Sequence, residues 1–130
     1  MPSKEPTPLA YIELPAEDFA VIEAFYAEAF GWTFQAFGSE YLAFKSGLCE
    51  GGFYKSALQS RSDKGAALPV LQTEQLDGLA ILVVEAGGKI SKEIFYFPGG
   101  RRFHFLDPHG NELAVWSSRD RNGSPIAYVE

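Results

Sequence analysis

The same pattern occurs twice in this 130-residue chain, and the duplication limits its fold more than any other feature. Asp18 lies 13 residues before Gly31, and Glu74 lies 13 residues before Gly87. Apolar residues recur at helical spacing within both intervals. Asp18 can cap the first helix with its carboxylate, and both glycines can take the positive φ that ends a helix. The sequence therefore predicts two helices in equivalent positions.

Strand candidates surround each helix in the same order. One short strand precedes each helix, and three segments rich in aromatic and β-branched residues, separated by glycines, follow it. The candidates are residues 9–14, 33–37, 41–45 and 48–55, then 69–73, 90–97, 102–106 and 112–117. The order is βαβββ twice, which predicts an α+β fold. Each helix is expected to cover one face of its sheet, which leaves the other face free to line a cleft.

The two modules are predicted to make up a single domain, since 130 residues are enough for one hydrophobic core. Module one covers residues 9–55 and module two covers residues 69–117. The linker, residues 56–68, is rich in polar and small residues, so we expect it to be mobile. The tail, residues 118–130, has no periodic pattern and is expected to fray.

Composition limits the partners and the compartment. Seventeen acidic and 11 basic side chains give a net charge of −6, which argues against nucleic acid or an anionic membrane and is compatible with a cationic small molecule. Cys49 is the only cysteine, so no intrachain disulfide is possible, and we expect it to be a small buried residue. The longest aliphatic run, residues 79–84, is too short to span a bilayer. We expect a cytoplasmic protein, because the N-terminus also lacks a signal-peptide pattern.

A hairpin signature near the C-terminus points to a family. Residues 101–116 read RRFHFLDPHGNELAVW, two alternating apolar segments joined by turn formers. Together with Asp18, Phe25-Tyr26 and Phe30-Gly31-Trp32, this segment resembles the paired signature of the vicinal oxygen chelate superfamily. That superfamily contains glyoxalases, extradiol dioxygenases and bleomycin resistance proteins, and the resemblance covers roughly residues 9–117. It implies an incomplete barrel with helices outside, a ligand in the concave interior, and a homodimer that completes the site between subunits.

Family members that use a metal place its ligands on defined strands. The resemblance puts these positions at Tyr11, Gly51 or Gly52, about Leu68, and Ala114. These side chains do not make a metal site. We therefore expect neither a metal nor another cofactor.

The two histidines do not change that expectation. His104 and His109 lie on one strand and in the turn that follows it, so their spacing cannot close a site of two histidines and one carboxylate. We expect His109 to be exposed to solvent. His104 could be satisfied by a neighbour or could face the ligand. Arg101 and Arg102 must point to opposite faces of their strand, and a surface ion pair is favoured over anion binding.

Six residues are candidates for ligand binding. Glu112 and Trp116 share a strand face with Ala114, and a carboxylate beside an aromatic ring suits a cationic or planar ligand. Because side chains alternate along a strand, Glu13 shares a face with Tyr11, and Gln72 shares a face with position 68. For each candidate the competing interpretation is ordinary packing. The candidates are Tyr11, Glu13, Gln72, His104, Glu112 and Trp116.

The favoured function is a bleomycin-resistance-like protein that binds or sequesters an aromatic or cationic small molecule without a metal and without catalytic residues. The alternative is an enzyme. It would be a metal-dependent lyase, isomerase or dioxygenase of the same superfamily, or one that uses Glu13 and Glu112 for acid–base chemistry. A third possibility is an interaction module whose cavity is filled by its own aromatic residues. An open or a filled cavity distinguishes the first class from the third.

Overall fold

Two four-stranded sheets with the same strand order account for most of the fold. In this computed structural model, which describes residues 4–128, the first sheet contains β1 (Tyr11–Ala16), β2 (Thr33–Ala36), β3 (Tyr41–Lys45) and β4 (Glu50–Lys55). The second contains β5 (Val70–Gln72), β6 (Lys89–Phe97), β7 (Gly100–Leu106) and β8 (Glu112–Ser117). The helices are α1 (Phe19–Phe30) and α2 (Leu76–Glu85). The strand orders are β1-β4-β3-β2 and β5-β8-β7-β6, which confirms the α+β fold of two βαβββ modules. The described strands form two separate sheets and no closed barrel.

Local signals explain the limits of α1 better than those of α2. The Asp18 side chain accepts a hydrogen bond from the backbone N–H of Val21 at 3.2 Å, and Gly31 ends α1 with a φ of 71°. Gln75 precedes α2 and makes no capping hydrogen bond with its side chain. Gly87 has a φ of 111° just beyond the end of α2. The predicted helices are thus present, although α2 starts without a side-chain cap.

Aromatic residues of α1 join the two modules into one hydrophobic core. Phe25 and Tyr26 are buried on α1. The Tyr26 ring lies 5.4 Å from Phe53 in β4, while the Phe25 ring lies 5.9 Å from Phe105 in β7. The helix therefore packs against residues of both sheets, and the modules cannot be separated without exposing these rings.

The turn between β7 and β8 ties distant parts of the chain together. Asp107 is buried, and its Oδ1 accepts the backbone N–H groups of residues 109–111. Its Oδ2 accepts the Tyr26 hydroxyl at 2.8 Å and the Asn111 side-chain amide at 3.1 Å. The same amide nitrogen of Asn111 donates to the carbonyl of Pro15 in β1. The turn formers seen in the sequence therefore also hold α1 and β1 in place.

The linker is fastened to this turn, contrary to the expectation that it is mobile. The Ser60 N–H donates to Asn111 Oδ1 at 2.9 Å, and the Glu112 N–H donates to the Ser60 carbonyl at 2.8 Å. His109, which we expected to be exposed, is half-buried, and its Nε2 lies 2.7 Å from the carbonyl oxygen of Leu58. Linker composition cannot reveal these contacts, because the partners lie about fifty residues away.

The described part of the tail also folds back instead of fraying. The Ile126 N–H donates to the Ser118 carbonyl at 2.8 Å. The Arg119 carbonyl accepts a hydrogen bond from Nε of Arg101, and the Arg101 guanidinium makes two further bonds to Asp77, at 3.1 and 2.6 Å. The ion pair expected for an arginine of this strand is present, but Arg101 is buried rather than on the surface. No helix within residues 4–128 is long and apolar enough to cross a bilayer.

Candidate functional site

A cavity of about 690 Å³ opens between the two modules. Its lining is mainly apolar and comes from both halves of the chain. It includes Ile12, Leu14, Phe30, Trp32, Phe44, Cys49, Leu71, Gln72, Leu79 and Trp116. We call this cavity the module cleft. It lies within the roughly 300–1,000 Å³ range of small-molecule pockets. Cys49, which we expected to be buried, is half-buried there.

A chain of hydrogen bonds lies on one face of the first sheet. It is the face opposite to the one that carries the β1 residues of the module cleft. The Tyr41 hydroxyl donates to Oε2 of Glu13 at 2.8 Å, and the Tyr11 and Tyr41 hydroxyls lie 2.7 Å apart. A tyrosine hydroxyl has one proton, so Tyr11 must donate to Tyr41 when Tyr41 donates to Glu13. The Tyr11 oxygen is then left with acceptor capacity only. A Cβ at position 52 would collide with the Tyr41 hydroxyl, so Gly52 leaves the space that this ring needs.

These contacts alter the acidity of Tyr41. Burial raises the pKa of the Tyr41 hydroxyl above its usual value, and its hydrogen bonds with Tyr11 and Glu13 raise it further. The hydroxyl is therefore protonated at any physiological pH. The group can recognise a ligand that donates hydrogen bonds, but Tyr41 cannot act as a ready base.

A second polar group lies at the start of β8. Glu112 is buried, and its Oε1 accepts from both the backbone N–H and the hydroxyl of Ser62, at 2.9 and 2.5 Å. Its Oε2 lies 2.9 Å from Nδ1 of His104, which is also buried. Both carboxylate oxygens are therefore engaged within the protein.

The same contacts set the charge of Glu112. Burial on its own would raise the pKa of this carboxyl, but the hydrogen bonds from Ser62 and His104 outweigh it and lower the pKa to about 2. Glu112 is therefore ionised at neutral pH, so it cannot donate a proton to a substrate there. An ionised Glu112 accepts the Nδ1 proton of His104. Nε2 of His104 is buried and has no hydrogen-bond partner among the described residues.

A row of side chains crosses the second sheet on one face. The register pairs Gln72 with Trp116, Trp116 with Arg102, and Arg102 with Phe95. We call these four residues the Trp116 row. Gln72 and Trp116 also line the module cleft, so the row continues from the cleft across the sheet. The next row contains Ala114, which pairs with Val70 and His104, and Ala114 is fully buried.

The six predicted site residues thus fall into three pairs. Tyr11 and Glu13 lie on one face of β1 and are joined through Tyr41. Gln72 and Trp116 are register partners, and His104 and Glu112 are joined by a hydrogen bond. Tyr41 and Ser62 were missed, since nothing in their local sequence marks them as partners. For Arg102 the sequence indicates a surface ion pair or an anion, and not a place beside Trp116.

The side chains at the family's metal positions do not fit a metal ion. Tyr11 bonds to Tyr41, position 51 or 52 is a glycine, Leu68 is apolar, and Ala114 contributes a buried methyl group. Within residues 4–128 no three His, Cys, Asp or Glu side chains are close enough together to hold one. No step of a reaction can therefore be assigned to a metal at these positions.

Comparisons with known proteins agree with this fold. Among solved structures, a glyoxalase/bleomycin resistance protein/dioxygenase family enzyme from Burkholderia phytofirmans PsJN is 18% identical, with a TM-score of 0.67 over 83% of this chain and 96% of that one. A glyoxalase-related enzyme from Fulvimarina pelagi is 22% identical, with a TM-score of 0.65 over 94% and 99%. Lactoylglutathione lyase from Agrobacterium tumefaciens is 20% identical, with a TM-score of 0.66 over 87% and 95%. Among curated proteins, none matches the sequence.

The family assignment rests on the sequence as well as on the fold. The sequence model of the Glyoxalase/Bleomycin resistance protein/Dioxygenase superfamily matches residues 9–115, which is most of the chain. The match includes both modules and ends within β8. The chain therefore belongs to the glyoxalase/bleomycin resistance protein/dioxygenase superfamily, which is the vicinal oxygen chelate superfamily.

Proposed function

We infer that this protein binds a small organic molecule with an aromatic or cationic part, and that binding needs no resident metal. The observation that carries the inference is the module cleft, a cavity of about 690 Å³ with a mainly apolar lining that includes Gln72 and Trp116. An apolar cavity with a few polar groups suits a small organic ligand. The chain's own aromatic residues do not fill this cavity, which argues against an interaction module with no ligand.

The chemistry of the donor atoms supports metal-independent binding. Side chains at the family's metal positions are a tyrosine, a glycine, a leucine and an alanine, and the nearby carboxylates of Glu13 and Glu112 already accept hydrogen bonds from the protein. Both oxygens of Glu112 are engaged in this way, so a divalent ion would have to displace one of these hydrogen bonds to use that carboxylate as a ligand. A sequestering role of the bleomycin-resistance type needs neither a metal nor a reacting side chain.

Two separate groups offer recognition chemistry, one for an aromatic and one for a cationic group. Trp116 offers an aromatic surface in the cleft, where stacking on a planar ring is favourable. The chain from Tyr11 through Tyr41 to Glu13 ends in acceptor atoms beside a carboxylate, which suits an ammonium or another hydrogen-bond donor. The hydrogen-bond chain lies on the other face of β1 from the cleft, so Trp116 supports binding of an aromatic group in the cleft, and the tyrosine–glutamate chain is a separate candidate for a cationic group.

A homodimer is part of the proposal. β1 and β5 each pair with one strand only within their sheets, so each leaves one edge open. Apolar side chains beside these edges are exposed, including Leu9, Tyr11 and Val70. A second copy of the chain would cover both open backbone edges and exposed apolar area. Light scattering at tens of micromolar should give the mass of a dimer, and a monomer at that concentration would contradict this part.

The ligand-binding proposal is tested by a thermal-shift screen of divalent metals, cationic antibiotics and thiol adducts. A ligand that binds only the folded state raises the melting temperature. We expect organic compounds with aromatic or cationic groups to give the largest shifts, and the shifts to persist in the presence of a chelator. Stabilisation by metals alone would favour the alternative of a metal-dependent lyase, isomerase or dioxygenase.

A further inference from the structure

The charge on the Trp116 row is positive, although the whole chain has a net charge of −6. Arg102 is the register partner of Trp116 on the neighbouring strand, so the two side chains stand side by side on one face. Glu112 lies on the same face of β8 as Trp116, and its carboxylate already accepts hydrogen bonds from His104 and Ser62. Arg102 is thus the charged group that a ligand on Trp116 would meet.

Aromatic rings hold the Arg102 guanidinium in place. Its central carbon lies 5.3 Å from the ring centre of Phe95 and 5.8 Å from that of Phe97. The Phe97 ring packs against the backbone at Gly100, where a Cβ would lie 2.8 Å from Phe97 Cζ. Phe97 also approaches Trp116, with 6.5 Å between ring centres. A guanidinium flanked by rings keeps its orientation at a low entropy cost.

Arg102 has no acidic partner in the described part of the chain. No carboxylate of residues 4–128 lies within 4 Å of its guanidinium, and its Nε is buried without a hydrogen-bond partner. The adjacent Arg101 differs, since it makes two bonds to Asp77. An arginine that is oriented but not neutralised is suited to a planar anion, because its N–H groups match the two oxygens of a carboxylate.

A second buried nitrogen atom without a partner lies on the same strand face. His104 is two residues from Arg102, its side chain is only 3% exposed, and its Nε2 has no hydrogen-bond partner among the described residues. The Phe95 ring is 5.9 Å from the His104 ring and also contacts Arg102. Two buried nitrogen atoms that lack partners, one in each side chain, therefore lie on one strand face near Trp116. Buried polar atoms normally have partners, and an arginine offers only donors, so Nε of Arg102 points to a molecule that supplies an acceptor.

From this arrangement we propose that the Trp116 row binds a planar aromatic carboxylate, with its ring on Trp116 and its carboxylate on Arg102. This rests on the proposed function and defines its ligand more narrowly, since it places an anionic group where the sequence suggested a cationic one. The chain's overall charge disfavours anions at long range. Selectivity for the carboxylate therefore comes from Arg102 itself.

The test compares three probes with the same ring, which are 2-naphthoate, 2-naphthamide and 2-naphthylmethylammonium. Calorimetric titration of the full chain should give the tightest binding for 2-naphthoate. Arg102→Met keeps much of the side-chain packing and removes the charge. It should weaken 2-naphthoate binding by about ten- to a hundredfold and change 2-naphthamide binding little. Arg121→Met removes the same charge from an exposed position of the tail and should behave as the unmodified chain does.

The outcomes separate this inference from the proposed function. If 2-naphthamide or the ammonium compound binds as well as 2-naphthoate, or if Arg102→Met retains the preference for the carboxylate, the inference is overturned and small-molecule binding stands. If none of the three binds at millimolar concentration, both are contradicted. Melting curves of each variant establish that any lost binding is not caused by unfolding.

Discussion

The hydroxyl of Tyr26 donates a hydrogen bond to Asp107 at 2.8 Å, although the two residues are 81 positions apart in the chain. Tyr26 lies in α1 and Asp107 in the turn that follows β7, so this bond joins the first module to the turn of the second. Both groups are buried. Burial, together with the nearby Asp107 carboxylate, raises the pKa of the Tyr26 hydroxyl, which keeps it protonated and able to donate.

Replacing Tyr26 with phenylalanine should destabilise the protein by about 1–2 kcal/mol. The buried Oδ2 of Asp107 would lose one of its two hydrogen-bond donors and keep only the Asn111 amide. Denaturant unfolding measures the difference. Tyr54→Phe is the matched control, since the Tyr54 side chain is more than one-third exposed and should show almost no change. Equal stability of both variants would mean that this bond does not couple the modules.

Stability should fall at acidic pH through Glu112. Its pKa of about 2 in the folded state is below its usual value of 4.5, so the ionised form stabilises the fold above about pH 4.5. That contribution, on the order of 2 kcal/mol, is lost as the pH falls from 4.5 toward 2. Glu112→Gln should therefore lose less stability over this interval than the unmodified chain. Glu23→Gln, at an exposed site on α1, should keep the full pH dependence, and parallel curves for all three proteins would refute the assignment.

The linker should open more readily when Ser62 cannot bond to Glu112. Ser62→Ala removes the 2.5 Å hydrogen bond from the hydroxyl and leaves the backbone one. Loss of about 1 kcal/mol raises the open population roughly fivefold, so trypsin should cleave after Lys64 about five times faster. Ser39→Ala changes an exposed serine of module one and provides the control. Unchanged cleavage in Ser62→Ala would indicate that other contacts alone hold the linker.

The two tryptophans should respond differently to substitution. Trp32 is buried and stacks between Tyr26 and Phe44, with ring centres 4.6 and 4.5 Å away, so Trp32→Leu should cost about 2–4 kcal/mol of stability. Trp116 is only half-buried, so Trp116→Leu should leave the melting temperature nearly unchanged while weakening a bound aromatic ligand about ten- to a hundredfold. A large loss of stability in Trp116→Leu with unchanged affinity would make Trp116 a packing residue.

Local chemistry made the fold predictable. The cap at Asp18, the glycine at position 31 and the turn formers of residues 107–111 act within a few residues, so the sequence alone predicted α1, the last hairpin and the module order. The linker could not be predicted in this way. Ser60 and Ser62 gain their partners, Asn111 and Glu112, only when the second module folds.

The candidate site was predictable only in part, for the same reason. Parity along β1 and β8 correctly placed Glu13 with Tyr11 and Trp116 with Glu112 on shared faces, because side chains alternate along a strand. The pairing of Arg102 with Trp116 was also accessible, since a hairpin centred on the turn at His109 fixes it. The sequence could not predict which acidic residue, if any, pairs with each arginine. Arg101 binds Asp77, whereas the Arg102 guanidinium lies beside two phenylalanine rings.

Metal-independent ligand binding is the central claim, and one titration tests it most directly. An aromatic ligand found by thermal shift is titrated into protein treated with a chelator and dialysed, and then into the same protein with one equivalent of Zn²⁺, Mn²⁺, Ni²⁺ or Fe²⁺. Because the family's metal positions carry Tyr11, glycine, Leu68 and Ala114, the account predicts the same affinity in every sample. Binding that disappears after chelation and returns with one of these metals would contradict it.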